Sequence, residues 1–97
     1  MDEQFELNGI SFVWNREKVE VNLGKHDVAC SEVAEAFFDP FLRVVDASSD
    51  QEARDAVIGM DERWNLLFVV HVAFEHDSVR LISARRATRN DRRLYED

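Results

Sequence analysis

Arginine side chains near the C-terminus are the residues of this chain best suited to chemistry. Residues 80–97 hold six arginines against three acidic residues, and Arg80, Arg85 and Arg86 lie in one extended segment. Arg54 precedes an earlier extended segment. A guanidinium group donates to two phosphate oxygens at once, so such a cluster is suited to a phosphate-bearing substrate. For any one of these arginines, a surface salt bridge is the simpler interpretation.

A Lys–His pair in the first third of the chain offers the complementary chemistry. Histidine is the side chain best suited to proton transfer near neutral pH, so His26 is a candidate proton-transfer group, and Lys25 can contact a phosphate. The simpler interpretation is that both side chains interact with the last carbonyl groups of a preceding helix, which Gly24 would end.

Metal and cofactor sites are not indicated. The chain has a single cysteine, Cys30, and lacks H-x-x-x-H spacing, a P-loop and a dinucleotide fingerprint. We therefore expect no cofactor, no metal ligands and no disulfide, with Cys30 buried as a small apolar residue in a reducing, cytoplasmic compartment.

Length and charge limit the possibilities further. The 97 residues are 45% hydrophobic and carry a net charge of −8, which predicts a single domain over residues 1–97 with an acidic body. An apolar stretch long enough to cross a membrane is absent from the sequence. The acidic body disfavours non-specific nucleic-acid binding, whereas the basic end can still meet a polyanion locally.

The first half of the sequence predicts a hairpin followed by helices. Phe5 to Trp14 alternates apolar and polar residues about an Asn8-Gly9 turn. Residues 15–24 are ambiguous, because caps at both ends favour a helix and the alternation favours a strand. Ser31 to Phe38 is predicted as a helix capped by Ser31 and stopped at Asp39-Pro40.

The second half predicts strands and a last helix. The expected strands are Leu42 to Val45, Asp55 to Met60, Leu66 to Glu75 and Val79 to Arg86, and a capping box at Thr88–Asp91 opens a helix through Tyr95. Strict alternation along the last strand sets Arg80 and Ile82 on one side and Leu81, Ser83 and Arg85 on the other.

The whole pattern resembles the BrnT family of bacterial ribonuclease toxins, which have a RelE-like fold and pair with BrnA antitoxins. Four blocks carry the resemblance, in chain order: Phe12-Val13-Trp14-Asn15 with Lys18, Asn22 and Lys25-His26; Ser31 to Ala36 with Phe38-Asp39-Pro40; Glu52 and Arg54 with Ile58-Gly59; and Arg80 to Thr88 with Arg92 and Tyr95.

The resemblance implies an α+β fold in which two N-terminal helices, residues 15–24 included, and a short C-terminal helix pack on an antiparallel meander. It also implies metal-independent RNA cleavage that inhibits translation, in which the 2′-hydroxyl attacks the adjacent phosphate. His26, Arg54, Arg80 and Arg85 are then the expected catalytic residues, and Lys25 and Arg86 the expected substrate-binding residues. We expect Arg54, Arg80 and Lys25 to line one concave face, with His26 at its edge.

Three functions are compatible with this sequence. The first is an endoribonuclease toxin that a ribbon-helix-helix, BrnA-like antitoxin neutralises in a hetero-oligomer. The second is a catalytically weakened member that binds and regulates through the antitoxin, which is favoured by Asp27, because its carboxylate would repel RNA phosphate beside His26. Asn15 and the missing aromatic near Cys30 are further departures from the family pattern. The third is a small interaction domain unrelated to nucleic acid.

Overall fold

The computed structural model describes residues 2–17, 29–74 and 77–97, over which six strands and two complete helices are defined. The strands are β1 (Asp2–Leu7), β2 (Ile10–Asn15), β3 (Arg43–Asp46), β4 (Asp55–Met60), β5 (Leu66–Phe74) and β6 (Ser78–Arg86), and the helices are α1 (Cys30–Ala36) and α2 (Arg89–Glu96). Neither helix has the length and apolar character needed to cross a membrane.

The six strands form one mixed sheet in the order β1-β2-β6-β5-β4-β3. Strands β3 to β6 follow one another as the expected antiparallel meander, and β1 and β2 form the expected hairpin. Asn8 and Gly9 both have positive φ, at 51° and 84°, as a type I′ hairpin turn requires.

The prediction of an antiparallel sheet throughout is wrong, because β2 pairs with β6 in parallel, from Ser11 opposite Ser78 to Trp14 opposite Leu81. The hairpin covers one edge of β2 and leaves its other edge for β6. After β2 the chain continues with β3 at the opposite edge of the sheet. The meander β3 to β6 then returns across the sheet, and its last strand, β6, lies beside β2 and runs in the same direction.

The helical part of the fold prediction is also wrong. Over the described residues one complete helix, α1, precedes the meander where two were expected. Arg16 and Glu17 have helical backbone. Residues 18–28 lie outside the described residues, and they include residues 18–24, the remainder of the other predicted helix. Helix α1 begins at Cys30, and its N-cap is Ala29 without a side-chain hydrogen bond, so Ser31 is not the cap.

The core lies between α1 and one face of the sheet. Phe12, Val33, Leu67 and Val69 are fully buried there, and Cys30 is buried with them as expected. Gly59 in β4 allows this approach, because a Cβ at that position would lie 2.3 Å from the carbonyl oxygen of Ala36. The sheet face beneath α1 is therefore filled by the core, whereas the opposite face is left open to α1-independent contacts.

Candidate functional site

A β-bulge in β6 changes which side chains share a face. Ser83 pairs with Val70, whereas Leu81 pairs with the next residue, His71, so Ile82 is an extra residue that the β5 ladder does not match. An extra residue shifts the alternation of every side chain beyond it. The strict alternation expected along this strand is therefore wrong after Leu81.

The bulge brings Arg80 and Arg85 to one face. Leu81 and Ala84 are both buried in the core beneath α1 although they are three residues apart. Arg80 and Arg85, each next to one of them, face away from α1. Their partners on β5 are four residues apart, so the two arginines lie about 13 Å apart along the sheet.

Arg80 forms an ion pair with a residue of β1, the strand at the edge of the sheet. Its guanidinium donates to both carboxylate oxygens of Asp2 in β1, at 3.1 and 3.2 Å. This hydrogen-bonded pair lowers the pKa of Asp2 and raises that of Arg80. Asp2 is an exposed residue at the start of β1, so a phosphate could replace its carboxylate without opening the core.

Arg54 lies level with Arg80, two strands away. Asp55 pairs with His71, and Arg80 pairs with Val72, so Arg54 stands one residue beyond the last β4–β5 pair, at the level of Val72. At about 4.8 Å per strand the two backbones are roughly 10 Å apart. The Arg54 guanidinium is paired with Glu52 at 3.3 Å. We call the positions of Arg54, Val72 and Arg80 the arginine row.

Arg85 makes contacts that link the sheet to helix α2. Its guanidinium donates to Asp91 at 2.5 Å and stacks 4.2 Å from the centre of the Phe68 ring. Asp91 is buried and closes the capping box of α2, as predicted, by accepting from the backbone N–H of Thr88. Burial alone would raise the pKa of Asp91, but the hydrogen bonds from Arg85 and Thr88 together lower it.

Of the remaining predicted site residues, the structure describes only Arg86, which does not lie in the arginine row. Arg86 is exposed at the other end of β6 and donates to the side-chain oxygen of Asn65 at 2.9 Å. Lys25 and His26 lie outside the described residues.

His71 is buried against the Phe37 ring, and this burial lowers its pKa. Over the described residues no three His, Cys, Asp or Glu side chains cluster as metal ligands would.

A second site, which sequence reasoning missed, surrounds Asp39. Its carboxylate accepts from the backbone N–H of Phe41 at 2.9 Å, the backbone N–H of Met60 at 2.8 Å and the Tyr95 hydroxyl at 2.5 Å. Burial opposes ionisation, yet these hydrogen bonds together lower the pKa of Asp39; burial and the same carboxylate raise the pKa of Tyr95 to about 12. Asp39 thus joins α1, β4 and α2.

An open groove of about 460 Å³ adjoins Asp39. Phe38 and Met60 are among its lining residues, and so are two aromatic side chains that are largely exposed, Phe41 at 73% and Trp64 at 82%. In the sequence, Asp39-Pro40 indicated only the end of a helix. The signal that could have revealed the groove is Trp64 itself, a large apolar residue in a polar turn between two strands.

Comparison with protein families gives a match over most of the chain. Residues 14–91 match the family model described as the ribonuclease toxin BrnT of type II toxin–antitoxin systems. A search of curated proteins found no match. The matched segment contains β2 from Trp14 onward, α1 and the whole β3–β6 meander, and therefore the arginine row.

Proposed function

The chain belongs to the BrnT family of ribonuclease toxins of type II toxin–antitoxin systems, and from this premise we propose that it cleaves RNA without a metal ion and so inhibits translation. A BrnA-like antitoxin of the ribbon-helix-helix class neutralises it in the cytoplasm. The observation that carries the proposal is the arginine row: Arg80 and Arg54 are level with one another, and each is held by one acidic side chain near the surface.

The chemistry proposed for this row is transfer within the RNA backbone. The 2′-hydroxyl loses its proton to a base and attacks the adjacent phosphorus, the bond to the 5′-oxygen breaks, and that oxygen takes up a proton. The products are a 2′,3′-cyclic phosphate and a 5′-hydroxyl. Negative charge grows on the phosphate oxygens in the transition state, where fixed cations are most effective.

Each expected site residue has a place in this scheme. Arg80 and Arg54 bind the phosphate oxygens bidentately, exchanging Asp2 and Glu52 for the substrate. His26 transfers the proton, with Lys25 on a neighbouring phosphate. Arg86 contacts the RNA beyond the scissile bond. Arg85 acts through α2, which it anchors by Asp91, and thereby holds the end of β6 in place.

A second candidate function is a catalytically weakened member that acts by binding the antitoxin. The observation that favours it is that Arg54, Arg80 and Arg85 are each paired with a carboxylate, from Glu52, Asp2 and Asp91. A site whose cations are already neutralised attracts RNA less strongly. The net charge of −8 acts in the same direction.

Induced expression in a bacterial host separates the two. We expect the chain alone to stop growth and translation, and co-expression of its cognate antitoxin to restore both. Arg80→Ala should abolish growth arrest, because it removes a cation of the row. Arg89→Ala, the same charge change on the exposed start of α2, should leave the arrest intact. Normal growth and translation on expression of the wild type alone would favour the second function, whereas growth arrest by Arg80→Ala equal to that of the wild type would show that cleavage does not depend on the arginine row.

A further inference from the structure

The turn between β4 and β5 presents Trp64 to solvent by a specific hydrogen-bond network. Asp61 is buried, and its side chain accepts from the backbone N–H groups of Arg63 and Asn65, both at 2.9 Å. The backbone N–H of Trp64 donates to the carbonyl of Asp61 at 3.2 Å. Within this turn Trp64 has φ of 68°, a left-handed conformation that is unfavourable for a bulky aromatic residue.

Exposure of a large apolar side chain such as that of Trp64 to water is energetically unfavourable, and the residues around it indicate what could cover it. Phe41 lies in the loop after α1 and, like Trp64, lines the groove. Large apolar side chains that cluster at the surface mark contact sites for other macromolecules. Tryptophan in particular is enriched among the few residues that contribute most to the binding free energy of protein interfaces.

The charged residues that surround these aromatic side chains in the groove are acidic. The charged residues that line the groove in the described part of the chain are Glu35, Asp39, Asp61 and Glu62, and none is basic. Glu62 is exposed. Arg63, the cation of the turn, is paired with Glu32 at 3.4 Å and so does not neutralise the groove.

We propose that this groove, lined by Phe41, Trp64, Glu35 and Glu62, is a docking site for a segment of the antitoxin that carries an apolar anchor flanked by lysine or arginine. The identity of the partner rests on the proposed function; the chemistry of the segment follows from the exposed aromatics and the acidic lining.

The groove is separate from the arginine row. It adjoins Met60, at the end of β4, whereas Arg54 precedes Asp55 at the start of that strand. Five residues of strand span about 17 Å. The antitoxin segment in the groove therefore leaves the arginine row free of direct contact, and variants of the groove change antitoxin binding without changing the residues proposed for cleavage.

The test measures binding of a purified ribbon-helix-helix antitoxin, chosen because its co-expression suppresses growth arrest by this chain, to immobilised toxin variants. Trp64→Ala and Phe41→Ala should each weaken affinity at least tenfold, mainly through faster dissociation. Glu62→Lys should slow association about threefold or more at low salt and flatten its salt dependence. Val44→Ala is the matched control, because Val44 is an exposed apolar residue that does not line the groove.

The outcomes are distinct. Affinities of Trp64→Ala and Phe41→Ala within twofold of the wild type would overturn the proposal, and so would wild-type dimers that Trp64→Ala converts to monomers, because the groove would then serve a second copy of this chain. RNA cleavage by the free proteins is measured in parallel. If the wild type fails to cleave RNA while Trp64→Ala still loses antitoxin affinity, the ribonuclease proposal fails and the docking site stands.

Discussion

Replacing Arg85 by Ala tests whether this arginine holds the fold together. The substitution removes the guanidinium that donates to Asp91 at 2.5 Å and stacks on the Phe68 ring at 4.2 Å. Asp91 would keep its hydrogen bonds with Thr88 but remain a buried carboxylate without a cation. Helix α2 would then lose its charged link to the sheet.

The size of the effect follows from these contacts. A hydrogen bond to a charged group contributes about 1.5–3 kcal/mol, and a partly exposed cation–π contact about 0.5–1 kcal/mol. The Arg85 side chain is 39% exposed, so solvent screening favours the lower limits of both ranges, which gives a total of about 2 kcal/mol. For a domain of this size each kcal/mol lowers Tm by roughly 4–8 °C, which gives a decrease of roughly 8–16 °C.

Thermal unfolding by circular dichroism measures this directly, with Asp91→Asn and the double variant completing a mutant cycle. We expect a coupling free energy of about 1 kcal/mol between the two sites. If Arg85→Ala melted within about 2 °C of the wild type, the reasoning would be wrong. Arg85 would then be available to the substrate in the same sense as Arg80.

Three further predictions concern the packing and titration of the fold. Gly59→Ala should cost about 2 kcal/mol or more in denaturant unfolding, because its Cβ meets the Ala36 carbonyl; Gly9→Ala, where the added Cβ meets no atom but the φ of 84° is unfavourable for alanine, should cost less, about 1 kcal/mol. Tyr95→Phe should lose about 1–2 kcal/mol at neutral pH. Because the folded pKa of Tyr95 is raised to about 12, the wild-type advantage should shrink above pH 10 and vanish near 12; an advantage that persists there would contradict this. The lowered pKa of buried His71 means that stability should fall as pH drops below about 6.5, and a His71→Gln variant that falls equally between about pH 7.5 and 5.5 would refute it.

Local patterns in the sequence predicted most individual elements. The Asn8-Gly9 turn, the strand Asp55–Met60 and the Thr88–Asp91 capping box are all present, because each depends on residues close together in the chain. The parallel pairing of β2 with β6 was missed, since alternation shows that a strand exists but not which strand lies beside it.

Site geometry was harder to predict for a similar reason. The bulge at Ile82 carries no glycine or proline to mark it, yet it decides that Arg80 and Arg85 share a face. The partners Asp2 and Asp91 lie 78 and 6 residues from the arginines they bind, and sequence spacing indicates neither pair. The resemblance to the BrnT family was confirmed over residues 14–91, whereas the roles of single residues stay predictions.

The most direct test of the account is cleavage of a defined RNA oligonucleotide by the purified protein in excess chelator. We predict that cleavage persists and leaves 2′,3′-cyclic phosphate ends detectable by mass spectrometry, and that Arg80→Ala slows it at least tenfold, about 1.4 kcal/mol of transition-state stabilisation, while Arg89→Ala does not. Cleavage that stops in chelator and returns on addition of Mg²⁺ or Zn²⁺ would contradict the central claim.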